Sequence, residues 1–281
     1  MVTASTDLPV YDSAEARTPL VTELRNFWRY RRLIRLLVAR DLTTRYKRSV
    51  LGVWWTLLNP LLTAGVMFLV FGVAIGGRFG ETDEPYVVYL LAGVLFMTFF
   101  GQGMLSTASS IAGAKAILSK VYVPAEVFAF ATGVAALANF GFSLFPLILA
   151  QLLTGTGVPI TALLVVVPVL SMLGLVIGAG MLIAAAAVYF YDVLDLTRVF
   201  VQLLQYLTPV FYPLSFIPVE WLGLYKTNPL FSYLDTFRNV MYRGELGPAW
   251  QWGYMVVTAV LALMVGVWAF SKSWRTLAMQ L

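Results

Sequence analysis

Neither cysteine nor histidine occurs among the 281 residues of this chain, and charged side chains make up only 12% of it. The two absences exclude disulfides, thiolate or imidazole metal sites, and every catalytic arrangement that pairs a nucleophile with histidine. The scarcity of charge excludes a soluble globular domain, in which about 25% of residues are charged. The phosphate-binding pattern G-x-x-x-x-G-K-S/T is missing as well; Gly113-Ala-Lys115 and Gly155-Thr-Gly157 are fragments without its spacing. The first twenty residues hold no apolar signal-peptide core and read as a disordered cytoplasmic tail.

Apolar length is what the chain has in abundance. It is 60% hydrophobic with a mean hydropathy of +0.81, which marks a polytopic membrane protein. The change of solvent falls at residues 40–60. Arg40, Arg45, Lys47 and Arg48 crowd together there, and the 27 residues from Leu51 to Gly77 then carry no charge. Such a run crosses a hydrocarbon core of about 30 Å. Cations at its start favour a cytoplasmic N-terminal side, with Trp54 and Trp55 at the interface.

Taken in order, the sequence predicts an amphipathic helix over 22–41. Its apolar face is Phe27, Tyr30, Ile34, Leu37 and Val38, with Arg25, Arg29, Arg32 and Arg40 opposite, a pattern suited to the headgroup plane or to a docking partner. Span one covers about 51–76 and holds Pro60, which should kink it. Span two covers about Tyr86–Thr107. Ser109–Glu126 reads as a short separate cytoplasmic helix, with Pro124 in the first turn of the next span. Val127–Tyr191 is uncharged and broken by the turn at 154–159, giving spans three and four. In span four, Gly174 and Gly178 allow close helix approach, within one subunit or between two. Asp192, Asp195 and Arg198 mark a cytoplasmic turn. Residues 199–213 are too few to cross comfortably and run into Pro209, Pro213 and Pro218; Asn228-Pro229 then opens an amphipathic helix, read as lying at the outer surface. The last span is about 254–271.

The fold class is thus an all-α polytopic membrane protein of six transmembrane helices. It has an N-terminal amphipathic interface helix and outer re-entrant gate helices between helices five and six. Its parts are a tail at 1–21, the interface helix and basic collar at 22–48, and the six-span domain at 49–281. Fifteen of the 19 Lys and Arg fall on the side assigned to the cytoplasm, together with both termini. That distribution accounts for the net charge of +5 by topology, without nucleic acid.

Four ordered stretches carry a resemblance: DLTTRYKRSVLGVWWTLLNPL at 41–61, YVVYLLAGVLFMTFF at 86–100, KAILSKVYVPAE at 115–126 and TPVFYPLSFIPVEWLGLYKTNPLFSYLDTFRN at 208–239. They resemble the membrane subunit of bacterial ATP-binding-cassette polysaccharide exporters, which move O-antigen, teichoic acid, capsule or mycobacterial galactan. The match departs at Val123 and Ala125, where that family often has Phe and a basic residue. The resemblance implies a homodimer in the bacterial cytoplasmic membrane, bound to two cytoplasmic ATP-binding-cassette subunits that hold ATP and Mg, with no cofactor on this chain. It implies a polyprenyl-diphosphate-linked glycan as cargo and no catalytic residue here. It further implies contact with the ATPase through Lys115, Ile117, Leu118, Lys120 and Tyr122, beside an interface helix bearing Arg25, Arg29 and Arg32. Arg45, Lys47 and Arg48 are then expected to meet the lipid diphosphate.

Sugar C–H faces pack on aromatic rings and hydroxyls bond amides, so Trp54, Trp55, Tyr86, Phe99, Gln205, Tyr206, Phe211, Tyr212 and Trp221 are the expected channel and gate residues. The alternatives are a drug or small-lipid exporter of the same build, a gradient-driven carrier, and a membrane enzyme acting on polyprenyl phosphate.

Overall fold

The computed structural model describes residues 29–47, 52, 54–74, 84–118, 123–190 and 192–280. The tail at 1–21, Arg25 and Arg48 lie outside them. No strand occurs among the described residues. Helix α1 is Arg31–Tyr46, α2 is Trp54–Met67 and α3 is Tyr86–Leu118; α4 is Glu126–Leu153, α5 is Val166–Ala187 and α6 is Val193–Leu207. Two short helices follow, α7 at Val219–Thr227 and α8 at Pro229–Arg238, and α9 at Ala249–Gln280 ends the chain. Among the described residues five helical stretches are long and apolar enough to cross a membrane: Trp54–Gly72, Tyr86–Ile111, Glu126–Leu153, Ile160–Ala187 and Ala249–Ser273.

Helix α3 is the axis. Its apolar residues run all round the helix, so it can satisfy them only by being surrounded. Within its most apolar window 83% of residues are buried, against 11% for the stretch containing α2. Phe96, Phe99, Phe140 and Phe237 form the centre of the core; Phe96 stacks on Phe237 with ring centroids 4.6 Å apart, and Phe99 on Phe140 at 4.9 Å. Helix α2 holds Pro60 as expected and passes at Phe68 into a π-helical stretch through Ala74. It leaves Trp54, Trp55, Leu62, Val66 and Leu69 exposed.

Three expectations need correction. Residues 109–118 are not a separate helix: α3 continues unbroken to Leu118. The Ala-, Ile- and Lys-containing sequence has no strong breaker before Pro124, which itself lies outside the first turn of α4. The apolar face of α1 does not look toward a lipid surface. Ile34 and Leu37 are buried against Val127, Phe128 and Ala131 of α4, and Arg29, Arg32, Arg35 and Arg40 remain exposed. The polar side of helix α8 is covered as well as its apolar face: Leu230 through Leu234 and Thr236 through Arg238 are all buried, because α3, α5 and α9 pack on it.

The expected start of α8 is present. Asn228 Oδ1 accepts from the Leu230 amide at 3.0 Å, Pro229 takes the first helical position, and Asn228 Nδ2 donates to Thr208 Oγ1 at 3.1 Å. Asn228→Ala removes the cap and the tie to Thr208 together. It is expected to cost about 1–2 kcal/mol, measured as a lower unfolding midpoint of the detergent-solubilised protein.

The glycine pattern of span four is used inside the chain. A Cβ on Gly178 would lie 2.3 Å from the carbonyl carbon of Ala262, and one on Gly266 would lie 2.1 Å from the Gly178 oxygen. Helices α5 and α9 therefore touch backbone to backbone.

Candidate functional site

Polar side chains recur along three apolar helices at helical spacing. Thr98, Gln102 and Ser106 lie four residues apart on α3; Thr132, Asn139 and Ser143 form a stripe on α4; Thr56 and Asn59 are three apart on α2. The fold turns these stripes toward one another. With Asp41, Gly52, Trp55 and Phe99 they line a cleft of about 310 Å³ between α2, α3 and α4. Several hydroxyls are satisfied on their own helices: Ser106 donates to Gln102 O at 2.6 Å, Ser143 to Asn139 O at 3.0 Å and Thr132 to Ala129 O at 2.9 Å. Their second lone pairs and the exposed Gln102 amide leave the cleft able to bond hydroxyls of a guest. The four-residue spacing of Thr98, Gln102 and Ser106 carries this signal in the sequence.

A second cavity, of about 220 Å³, lies at the Tyr86 end of α3. Glu84, Tyr86, Tyr89, Pro209, Asp235, Arg238 and Arg243 are in its wall. Arg243 is the electrostatic hub. Its Nε donates to Glu84 Oε1 at 2.6 Å and its Nη2 to Glu84 Oε2 at 3.2 Å, while Nη1 donates to Asp235 Oδ1 at 3.1 Å and Asn239 Oδ1 at 2.8 Å. Burial opposes the charge of Arg243, but Tyr242, Glu84 and Asp235 outweigh it and hold the guanidinium above its ordinary range. Arg238 is different: it is 3% exposed, and its guanidinium bonds the Pro209, Val210 and Tyr89 carbonyls and lies on the Tyr89 ring. The sequence placed Arg238 merely off the apolar face of its helix and missed this role. Among the described residues no group of acidic side chains could hold a metal ion.

Three of the nine expected channel residues line these cavities. Trp55 and Phe99 line the first cleft. Tyr86 lines the second cavity and its hydroxyl donates to Phe211 O at 2.7 Å; Tyr212 donates to Tyr206 O at 2.7 Å, and the Tyr206 and Phe211 rings are 6.2 Å apart. Gln205 is half-buried on α6. Trp54 and Trp221 are exposed and line neither cavity. Of the residues expected at the ATPase, Lys115, Ile117 and Leu118 are in the last turn of α3 with side chains outside the description, and Lys120 and Tyr122 are outside the described residues. Arg45 is in α1 with its side chain likewise outside, and Lys47 is exposed.

Residues 32–242 match the family model described as ABC-2 type transporter. The chain belongs to that family. A Myxococcus xanthus protein named O-antigen export system permease protein RfbA is 31% identical over 257 residues, covering 90% of this chain and 95% of that protein. A Klebsiella pneumoniae protein of the same name is 24% identical over 243 residues, 85% of this chain and 91% of its own length. The inner membrane transport permease YadH of Escherichia coli (strain K12) is 28% identical over 195 residues, 65% of this chain and 74% of that protein. In this ABC-2 permease the first cleft lies among helices long and apolar enough to cross a membrane, and the second lies beside the Pro209–Pro213 break after α6.

Proposed function

We propose that this ABC-2 permease is the membrane subunit of an ATP-driven exporter that moves a lipid-linked polysaccharide, of the O-antigen, teichoic acid or galactan class, out of the cytoplasm. The observation that carries the reading is the end-to-end likeness to a protein named for O-antigen export. The hydroxyl- and amide-lined cleft beside α2 supports it, since a purely hydrophobic cargo would need no such lining. Two copies of the chain work with two cytoplasmic ATP-binding-cassette subunits, which bind ATP and Mg. The chain itself supplies no nucleotide site and no catalytic group. Both termini are cytoplasmic, so the Leu118 end of α3 faces the ATPase and the Tyr86 end faces outward.

Work enters through Lys115, Ile117, Leu118, Lys120 and Tyr122, beside the arginine-bearing α1. Arg45, Lys47 and Arg48 receive the lipid diphosphate, because clustered cations offset the two phosphates as they approach the bilayer. Residues 199–213 serve as the fifth span and pass, as re-entrant chain, into the gate region of α7 and α8.

The test is co-purification with the ATPase subunits and reconstitution in vesicles. Polyprenyl-diphosphate-linked glycan is expected to stimulate hydrolysis severalfold and to be moved only with ATP. Neutralising Arg45, Lys47 and Arg48 to Gln is expected to leave the complex assembled and abolish glycan movement; unchanged movement removes that assignment. Stimulation by drugs or short lipids and not by the glycan favours the drug-exporter alternative. Translocation by this chain alone, without nucleotide, defeats the proposal.

A further inference from the structure

Helix α6 ends at Leu207, the Thr208 amide makes its last helical bond to Leu204 O at 2.9 Å, and Pro209 through Tyr212 run on outside any helix. This strap lies deep: a Cβ on Gly93 would meet the Val210 carbonyl oxygen at 3.1 Å. Gly93 is about 10 Å along α3 from its start at Tyr86. Backbone at that depth is tolerated only where protein covers it or where it lines a wet cavity, and of the strap only Pro209 is in the wall of the second cavity.

Four of its carbonyls in succession are satisfied by side chains from other elements. Arg238 of α8 donates from Nη1 to Pro209 O at 2.8 Å and from Nη2 to Val210 O at 3.2 Å. Tyr86 donates to Phe211 O at 2.7 Å. Tyr89 shares its one hydroxyl proton between Tyr212 O at 2.7 Å and Pro209 O at 2.8 Å. The guanidinium also stacks 3.5 Å from the Tyr89 ring centroid and bonds the Tyr89 carbonyl at 3.1 Å, and the Tyr86 and Tyr89 rings stack with centroids 6.2 Å apart, so the three side chains form one contiguous set. From these tyrosines α3 runs 33 residues, about 50 Å, without a break to Leu118.

We propose that Tyr86, Tyr89 and Arg238 are positioning residues that bolt the 208–212 strap to α3, so that the strap and the far end of that helix move as one body. Movement of the Leu118 end is then delivered at the interrupted span without loss in between. A slip of the strap by one residue would strand its carbonyls, which is what makes the joint stiff. The source of the movement rests on the exporter reading above; the bolt itself does not.

The absence of cysteine lets two introduced thiols be labelled uniquely. Ser109 and Ser215 are both exposed, one on α3 and one just past the strap. Ser109→Cys and Ser215→Cys carry spin labels, in chains diluted with unlabelled protein and assembled with the ATPase subunits. The expected result is a narrow distance distribution that is the same without nucleotide and with ATP. In a Tyr86→Phe/Tyr89→Phe background the rings remain and the hydroxyls go; the distribution is expected to broaden, and glycan moved per ATP hydrolysed to fall about tenfold. Should the double variant not fold, Tyr86→Phe alone is expected to show a smaller change of the same kind. A wild-type distance that shifts by several Å on ATP binding overturns the bolt, as does a variant with unchanged width. If the wild-type complex hydrolyses ATP and moves no glycan, the exporter reading falls and the distance comparison still decides the bolt.

Discussion

Gly178→Ala is expected to cost about 3 kcal/mol or more, at the upper end of what overpacking a core does. The added methyl carbon would sit 2.3 Å from the carbonyl carbon, 2.4 Å from the oxygen of Ala262 and 2.5 Å from the Leu263 nitrogen. These are backbone atoms of α9, so no rotamer change can clear them. The helices must separate along a contact that also holds Gly174 and Gly266. Gly113→Ala is the control: it is a helical glycine with open space around its Cβ position. There the gain in helix propensity predicts a stabilisation of about 0.5–1 kcal/mol. The two variants, compared by unfolding midpoint and by the fraction recovered as a monodisperse peak, should move in opposite directions. A Gly178→Ala protein as stable as wild type would mean that α5 and α9 do not meet as described.

That contact also illustrates how far the sequence could be read. Gly174 and Gly178 announced a close helix approach, but four residues of spacing do not name the partner, and only the fold assigns it to α9 of the same chain. Five apolar stretches form helices long and apolar enough to cross a membrane, as read, because length and hydropathy are local properties. The Asn228-Pro229 start was legible for the same reason, since a cap acts within three residues. What failed depended on neighbours distant in sequence. The apolar stripe of α1 told that something covers Ile34 and Leu37, and lipid was the nearest guess; α4 supplies the cover. Helix α8 read as amphipathic because Asp235, Arg238 and Asn239 are polar. Each of them is instead bonded inside the protein: Asp235 and Asn239 by Arg243, and Arg238 by carbonyls of α3 and the strap. The aromatics, picked out for their chemistry, were scattered by the fold: Trp55, Phe99 and Tyr86 line cavities, Phe211 and Tyr212 are packed within the protein, and Trp54, Tyr206 and Trp221 are exposed. The less conspicuous hydroxyl stripes proved to face one another.

Arg238 yields a prediction in which the conservative change does the greater harm. Arg238→Met is expected to cost about 2–4 kcal/mol. Val210 loses the donor that satisfies it, whereas the Pro209 carbonyl keeps Tyr89 and the Tyr89 carbonyl still belongs to a helix. Hydrogen bonds from charged groups contribute about 1.5–3 kcal/mol each, and removing the guanidinium also removes the cost of burying it, which keeps the loss below the simple sum. Arg238→Lys retains a charge in a place that is 3% exposed, with no carboxylate bonded to Arg238 among the described residues. An ammonium cannot stack on Tyr89 and reach three carbonyls with a planar fork, so part of its hydration is lost without replacement. Lysine should therefore unfold at a lower temperature than methionine, and both below wild type. The order inverts if Arg238 acts mainly through charge, for instance by holding a carboxylate, because lysine would then rescue and methionine would not. The ranking of the two unfolding midpoints separates a geometric clamp from an ion-pair partner.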